Sequence, residues 1–212
     1  MSVKTDPAKY SLIAKTAFAP IYPYLAEQIK NKFGVTEGLC VDIGSGPGSL
    51  AIALAKITNL KVFSLDIQPE MTAIACENIK DAGLQGRIGA LTSDVCRMPF
   101  SDNSIDLVVS RGSIFFWEDR VSAFREINRI LKPDAVAYVG GGMGNEQIRA
   151  KVMETFANNE ELRDADRPWD PKSDGKVPRL DSAQLEEDLC QAGISGKVIR
   201  ENGIWIEIQK GK

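Results

Sequence analysis

The chain has 212 residues, a net charge of −3 and a sequence pI near 5.2, and 43% of its residues are hydrophobic. This length and composition suit one domain with a single sizeable core, whereas the acidic balance and the lack of a lysine- and arginine-rich cluster disfavour a nucleic-acid partner. No stretch approaches the roughly 20 apolar residues of a membrane span and the N-terminus lacks a signal-peptide pattern, so we expect a cytoplasmic protein without a membrane partner.

The predicted elements follow an α/β order, because apolar runs alternate with segments of helical period. The first five predicted strands cover residues 39–43, 61–66, 87–92, 105–110 and 135–140. The predicted helices between and after them cover residues 49–57, 69–82, 119–131 and 181–192. Connections of this kind place parallel strands side by side with helices on both faces.

The two ends of the chain complete the predicted fold. Residues 1–34 are aromatic-rich and predict an N-terminal helical cap, and 158–180 are polar and proline-rich, which predicts a lid or mobile loop. Strands at 197–201 and 204–208 flank Asn202-Gly203, a strong antiparallel hairpin signal. We therefore expect residues 1–212 to form one domain, a three-layer α/β sandwich on a mostly parallel, seven-stranded Rossmann-like sheet with an antiparallel C-terminal hairpin.

Cysteine and histidine usage limits the possible chemistry. Cys40, Cys76, Cys96 and Cys190 are widely spaced and are interpreted as buried free thiols. The chain has no histidine, which removes the commonest general base and the commonest metal ligand. We expect no metal, and the sequence assigns no catalytic residue.

A glycine-rich loop follows the first predicted strand. Its glycines have the spacing G-x-G-x-G, whereas a dinucleotide fingerprint would require a third glycine at the position of Ser49. Asp42 precedes the first glycine by two residues, and its negative charge suits a cationic ligand group better than a pyrophosphate. The loop therefore favours a ligand with a cationic group over a dinucleotide.

This D-x-G-x-G-x-G pattern resembles motif I of the class I (Rossmann-like) S-adenosylmethionine-dependent methyltransferases, particularly the small-molecule enzymes of ubiquinone and menaquinone biosynthesis. Asp66 stands where that family holds both ribose hydroxyls, and Asp94 stands where it binds the adenine amino group. Residues 128–133 resemble the family's R-x-L-K-P-G-G segment, with Asp134-Ala135 replacing the glycine pair. The resemblance implies S-adenosylmethionine (SAM) as cofactor and S-adenosylhomocysteine (SAH) as product. It implies these cofactor-binding residues: Asp42, Gly44, Ser45, Gly46, Gly48, Asp66, Ile67, Met71, Asp94, Val95 and Arg111.

Aromatic residues follow the fourth predicted strand and are candidates for contact with the acceptor. Phe115, Phe116 and Trp117 could stabilise a sulfonium by cation–π attraction or shape an apolar pocket. The alternative is that the three rings only pack the following helix onto the sheet.

A glycine run at residues 140–144, after the fifth predicted strand, is a second candidate for acceptor binding. It includes Gly142 and leads into a predicted helix from Glu146 that carries Arg149, an arrangement that could cradle an anion. The alternative is a hinge or a tight chain crossing. With Arg111 nearby, these features predict a small-molecule acceptor with an apolar or aromatic body and an anionic group.

The predicted reaction is in-line displacement of the methyl group by an oxygen, nitrogen, carbon or sulfur nucleophile, accelerated mainly by positioning. Alternatives are a non-enzymatic SAM-binding module, a methyltransferase acting on protein or RNA, and a metal-dependent catechol-type methyltransferase. A short-chain reductase is disfavoured because no Y-x-x-x-K motif occurs. The oligomeric state is not predicted.

Overall fold

The computed structural model describes residues 6–163 and 180–211, and its strands form one seven-stranded sheet. In chain order the strands are β1 (Leu39–Ile43), β2 (Lys61–Asp66), β3 (Ile88–Thr92), β4 (Ile105–Arg111), β5 (Leu131–Gly142), β6 (Gly196–Ile199) and β7 (Gly203–Gln209). Their spatial order is β3-β2-β1-β4-β5-β7-β6.

Strand β1 is central to the parallel part of the sheet. Val41 pairs with Phe63 of β2 on one side and Val108 of β4 on the other. Strand β7 lies antiparallel between β5 and β6. The predicted Rossmann-like sheet with its C-terminal hairpin is therefore confirmed. Near-continuous apolar runs such as β1 and β4 suit strands that helices cover on both faces.

Eight helices are described in residues 6–163 and 180–211, with a short 3₁₀ turn at Ile114–Phe116. The helices are α1 (Pro7–Lys15), α2 (Ile21–Phe33), α3 (Ser49–Ile57), α4 (Pro69–Asp81), α5 (Arg120–Ile130), α6 (Glu146–Asn158), α7 (Glu160–Arg163) and α8 (Ser182–Ala192). Helices α1, α5, α6 and α8 each follow an Asp or Asn whose side chain accepts a backbone N–H of the first turn. These caps explain where the helices begin.

Helices cover both faces of the sheet, as the predicted three layers require. One buried cluster joins the sheet to α1–α4 and α6, with Leu25 and Leu54 among its members. The other joins it to α5 and α8, with Phe124 and Leu189 among its members. The Phe18 and Phe156 rings meet edge-to-face at 5.9 Å, so α6 packs against the turn between α1 and α2. Helix α6 and the N-terminal helices thus share one layer.

Strand β5 runs to Gly142, two residues beyond the predicted end at residue 140, so Gly141 and Gly142 belong to the strand and the run is a tight chain crossing there, as the alternative stated. These glycines pair with β7. A Cβ on Gly140 would lie 2.3 Å from the Ile204 carbonyl oxygen, and one on Gly142 would lie 2.2 Å from the Asn202 carbonyl oxygen. Glycine is required here because β7 approaches so closely.

The hairpin is present, but its turn is longer than the two-residue turn that Asn202-Gly203 suggests. Strand β6 ends at Ile199, which pairs with Trp205, while β7 already begins at Gly203. Gly203 pairs with Gly142 of β5, so β7 extends beyond β6. Pairing with the longer strand therefore decides where β7 begins.

Three other expectations are corrected or limited. The range 158–180 was predicted as a lid or mobile loop, but its first residues are helical, since α7 covers Glu160–Arg163. Residues 164–179 lie outside the described residues. Within the range predicted as an N-terminal cap, the described residues include two helices, α1 and α2. Cys76 and Cys190 are exposed rather than buried.

Within the described ranges, no helix has the length and apolarity to cross a membrane.

Candidate functional site

The loop between β1 and α3 is held open at the carboxyl edge of the sheet. Gly44, Gly46 and Gly48 have φ values of 61°, 53° and 79°, a left-handed conformation that glycine adopts without strain. The backbone N–H of Ser45 donates to the Leu65 carbonyl at 3.0 Å and ties the loop to the end of β2. The predicted loop residues therefore lie where ligands of doubly wound sheets bind.

Asp66 ends β2 beside this loop, and a different backbone N–H donates to each of its two carboxylate oxygens. Oδ2 accepts the Gly46 N–H at 2.9 Å, and Oδ1 accepts the Gln68 N–H at 2.9 Å. Burial raises the pKa of this carboxyl, whereas these backbone hydrogen bonds lower it. Each oxygen retains acceptor capacity, so the oriented carboxylate fits a pair of ribose hydroxyls.

Apolar and polar groups alternate along the neighbouring rim. The Ile67 side chain is 63% exposed directly after Asp66, while Met71 of α4 is buried beneath that end of the sheet. Beyond β3, the exposed Asp94 accepts the Cys96 N–H at 2.8 Å, and Val95 is half-buried. An exposed apolar side chain between two carboxylates fits an adenosine, whose ring is apolar on its faces and polar at its edge.

Asp42 is buried in β1 beneath the glycine loop. Its Oδ2 accepts the Ala51 N–H in the first turn of α3 at 3.2 Å. Burial raises the pKa of Asp42 to about 8, against the lowering effect of the Ala51 hydrogen bond, and the neighbouring Asp66 adds a smaller upward shift. The structure thus gives Asp42 a helix-capping contact, and its contact with a cofactor amino group stays a prediction.

A hydroxyl network, which the sequence analysis missed, joins the loop after β4 to the glycine loop. Ser113 Oγ lies 2.7 Å from Ser110 Oγ, donates to the Ile43 carbonyl at 3.1 Å and accepts the Trp117 Nε1–H at 3.1 Å. A Cβ on Gly44 would lie 2.1 Å from the Ser113 Cβ. No sequence signal separates these serines from others, since the network forms only when the two loops meet.

The three aromatic residues of this loop have different environments. Trp117 is 9% exposed and its ring lies 6.2 Å from that of Phe124, so it packs α5 onto the sheet as the alternative prediction stated. The Phe115 ring fills the space over Gly141, where a Cβ would lie 2.6 Å from its Cε2 atom. Phe115 and Phe116 are half-buried and stay candidates for acceptor contact.

The two arginines that the sequence proposed for an anion are placed differently. Arg111 Nε and Nη2 donate to the Gly142 carbonyl at 3.2 and 3.1 Å, and its Cζ lies 4.3 Å from the Phe18 ring centroid. Arg149 is exposed on α6, and its side chain has no hydrogen bond or ion pair with the rest of ranges 6–163 and 180–211. Only Arg111 is fixed at the carboxyl edge of the sheet.

Two tyrosines from the N-terminal helices complete this rim. Tyr10 of α1 lies over the glycine loop, where a Cβ on Gly46 would be 3.1 Å from its Cε1 atom. Its side chain is hydrogen-bonded to that of Tyr22 in α2, and burial raises the Tyr22 pKa well above its ordinary range. The sequence marked this segment only as aromatic-rich, because nothing in it shows that α1 returns to the loop.

Comparison with known proteins agrees with this geometry. A family model described as a methyltransferase domain matches residues 41–139. A solved structure from Methanococcus maripaludis, assigned to the S-adenosylmethionine-dependent methyltransferases, is 41% identical, with a TM-score of 0.87 over 100% of this chain and 98% of the other.

Curated relatives match over shorter segments. Demethylmenaquinone methyltransferase of Chlorobaculum tepidum is 34% identical over 106 residues, which are 50% of this chain and 41% of the relative. Dimethylglycine N-methyltransferase of Parasynechococcus marenigrum is 27% identical over 183 residues, or 76% of this chain and 63% of the relative. The chain thus spans less than half the length of the menaquinone enzyme. The match to the Methanococcus maripaludis structure over both chains confirms the expected family and SAM as its cofactor, and the chain belongs to the S-adenosylmethionine-dependent methyltransferases.

Proposed function

We propose that the chain transfers a methyl group from SAM to a small-molecule acceptor. The observation that carries this proposal is the Asp66 carboxylate, which two backbone N–H groups orient between a left-handed glycine loop and the exposed Ile67. SAM supplies an electrophilic methyl group on a sulfonium, which the acceptor nucleophile would take by in-line displacement.

The chain's own residues would hold the cofactor along one edge of the sheet. Asp66 would accept the ribose hydroxyls, and Ile67 and Met71 would flank the adenine, whose amino group would meet Asp94 and whose edge would lie near Val95. The glycine loop would follow the methionine part, with Asp42 below its amino group and Arg111 nearby. The loop residues concerned are Gly44, Ser45, Gly46 and Gly48.

The surroundings of the loop support a small acceptor. Helix α1 contributes Tyr10 above the glycine loop, with the buried Tyr22 of α2 hydrogen-bonded to it, and the loop after β4 contributes Phe115 and Phe116. Aromatic walls of this kind suit an acceptor with an apolar or aromatic body. Relatives named for demethylmenaquinone and dimethylglycine support a small acceptor for this chain as well.

Positioning of the acceptor against the methyl group would supply most of the rate acceleration. The hydroxyl groups near the glycine loop are poor candidates for a general base, because they already make hydrogen bonds within the protein. Ser113 Oγ has three close partners, which leaves it poorly placed to accept a proton from an acceptor. The raised pKa of Tyr22 keeps its hydroxyl protonated, so it can donate a hydrogen bond but does not serve as a base near neutral pH.

Two measurements test the proposal. Calorimetry should show binding of SAM and SAH but not of NAD, and NAD binding without SAM binding would overturn it. Incubation of the protein and SAM with a metabolite extract, followed by mass spectrometry, should show a methylated product together with SAH. Tight SAM binding with no SAH formed from any extract would favour a non-enzymatic SAM-binding module.

A further inference from the structure

Arg111 is a half-buried cation without a described counter-ion. Two of its nitrogens donate to one carbonyl, that of Gly142, and its flat face lies on the Phe18 ring. Within residues 6–163 and 180–211, no carboxylate lies within ion-pair distance of Arg111. The guanidinium keeps its charge and further N–H donors beyond those that meet Gly142, so an anion at this position would find both an opposite charge and hydrogen bonds.

The neighbouring carboxyl does not supply that charge. Asp42 and Arg111 both act electrostatically on the Tyr22 hydroxyl, which places all three groups in the same region. Burial raises the Asp42 pKa to about 8, so this carboxyl is mostly protonated near neutral pH. The Arg111 charge is therefore not neutralised by Asp42.

Two phenol groups lie beside this cation. Tyr22 is buried with its ring centroid 5.8 Å from the Arg111 Cζ, and its side chain is hydrogen-bonded to Tyr10. Tyr10 in turn lies over Gly46 of the cofactor loop. The bond between the phenols uses one of their two O–H groups, so the guanidinium and one phenolic O–H remain as donors to an oxyanion, and the guanidinium fork matches a carboxylate or phosphate.

We propose that Arg111, Tyr10 and Tyr22 form an oxyanion-binding subsite that takes a carboxylate or phosphate beside the glycine loop. The subsite rests on the proposed function and deepens it. The oxyanion has two possible sources, the acceptor itself and the methionine carboxylate of SAM. In either case the N-terminal segment forms part of the binding site, because α1 and α2 supply the hydrogen-bonded phenol pair and the turn between them supplies the Phe18 ring at the guanidinium.

Two binding measurements distinguish the sources. The first is calorimetry of SAM and of decarboxylated SAM, which lacks only the carboxylate. The second is the melting temperature of the SAH-saturated protein in phosphate or citrate, against sodium chloride of equal ionic strength. The variants are Arg111→Gln, Tyr10→Phe and Tyr22→Phe. Matched controls are Arg125→Gln on the exposed face of α5 and Tyr24→Phe on α2.

The expected result depends on the source. If SAM provides the oxyanion, Arg111→Gln weakens SAM binding by about tenfold or more and leaves decarboxylated SAM unchanged. If the acceptor provides it, SAM affinity is unchanged and the anion-induced rise in melting temperature disappears in Arg111→Gln. The two controls should match the parent protein in both measurements.

The proposal is overturned if folded Arg111→Gln matches the parent protein in both measurements, or if the parent itself shows neither effect. Should Arg111→Gln fail to fold, the proposal is tested with Tyr10→Phe and Tyr22→Phe instead. Each of these variants removes one hydroxyl and should weaken binding of SAM, or of the added anion, by about threefold or more. Failure of the parent protein to bind SAM or SAH at all would instead overturn the proposed function.

Discussion

Two regions at the carboxyl edge of the sheet are built by different means: the cofactor side, which is loop 44–48 with Asp66, and the arginine side, which is Tyr10, Arg111 and Gly142. On the cofactor side, the loop 44–48 and Asp66 are joined by backbone hydrogen bonds at the ends of the adjacent strands β1 and β2. On the arginine side, the three residues come from α1, β4 and β5 and meet mainly through side chains.

The comparison shows which contacts follow from the backbone geometry of the fold and which depend on the identity of individual side chains. A glycine loop and a strand-end carboxylate follow from the geometry of a parallel sheet, so they can bind the same cofactor in many proteins. Side-chain contacts between distant segments can change without disturbing the sheet, so acceptor choice can vary on one fold. The following predictions test each side, from the largest expected effect to the smallest.

The largest effect is expected where β5 and β7 are closest. Gly142→Val should lower the free energy of unfolding by about 3 kcal/mol or more, because its Cβ would lie 2.2 Å from a backbone carbonyl that cannot move alone. Urea denaturation measures this loss. Gly86→Ala is the control, since a Cβ there has nothing within 4 Å. A loss below about 1 kcal/mol for Gly142→Val would contradict the observed strand pairing.

On the cofactor side, Asp66→Ala should weaken SAM binding by about 2–4 kcal/mol, because two charge-assisted hydrogen bonds to the ribose are lost. Asp66→Glu should also bind poorly, since the longer side chain displaces both oxygens. Calorimetry measures both, with Asp81→Ala at the far end of α4 as the control. A folded Asp66→Ala variant that binds SAM within about twofold of the parent would refute the ribose assignment.

The buried Asp42 carboxyl predicts a pH dependence of stability. Its pKa is raised from 3.8 to about 8 on folding, so the unfolded chain loses this proton first as the pH rises. Its contribution is therefore fully present below about pH 4, declines at up to about 1.4 kcal/mol per pH unit, and levels off above about pH 8. Asp42→Asn should flatten urea-derived stability over that window, and an unchanged slope would count against the assignment.

The smallest effect is expected at Trp117. Trp117→Phe keeps an aromatic ring beside Phe124 and removes the hydrogen bond to Ser113, so the free energy of unfolding should fall by about 1 kcal/mol. SAM affinity should stay within about twofold of the parent protein. A large loss of SAM affinity without loss of stability would instead assign the indole to the ligand site.

The sequence by itself determined the sheet and most of the cofactor side. The predicted bounds 39–43, 49–57 and 61–66 match β1, α3 and β2, because buried parallel strands appear as short apolar runs and the intervening helix follows a glycine turn. Of the residues predicted to bind SAM, Asp42, the loop residues 44–48, Asp66 and Ile67 lie within or just after these elements. The other four, Met71, Asp94, Val95 and Arg111, lie on or after later elements. Such elements can be predicted from a single sequence, because the residues that form them are neighbours along the chain as well as in space.

Only the tertiary structure decided the arginine side. Residues 141 and 142 have the composition of a loop, yet they extend β5 because they pair with β7, and the chain entering β7 leaves no space for a side chain at Gly142. Arg111 and Tyr10 become neighbours of the cofactor loop only when α1, α2 and β4 have packed together. Contacts of this kind depend on how the segments pack in three dimensions, and no local pattern of apolar or glycine residues encodes them.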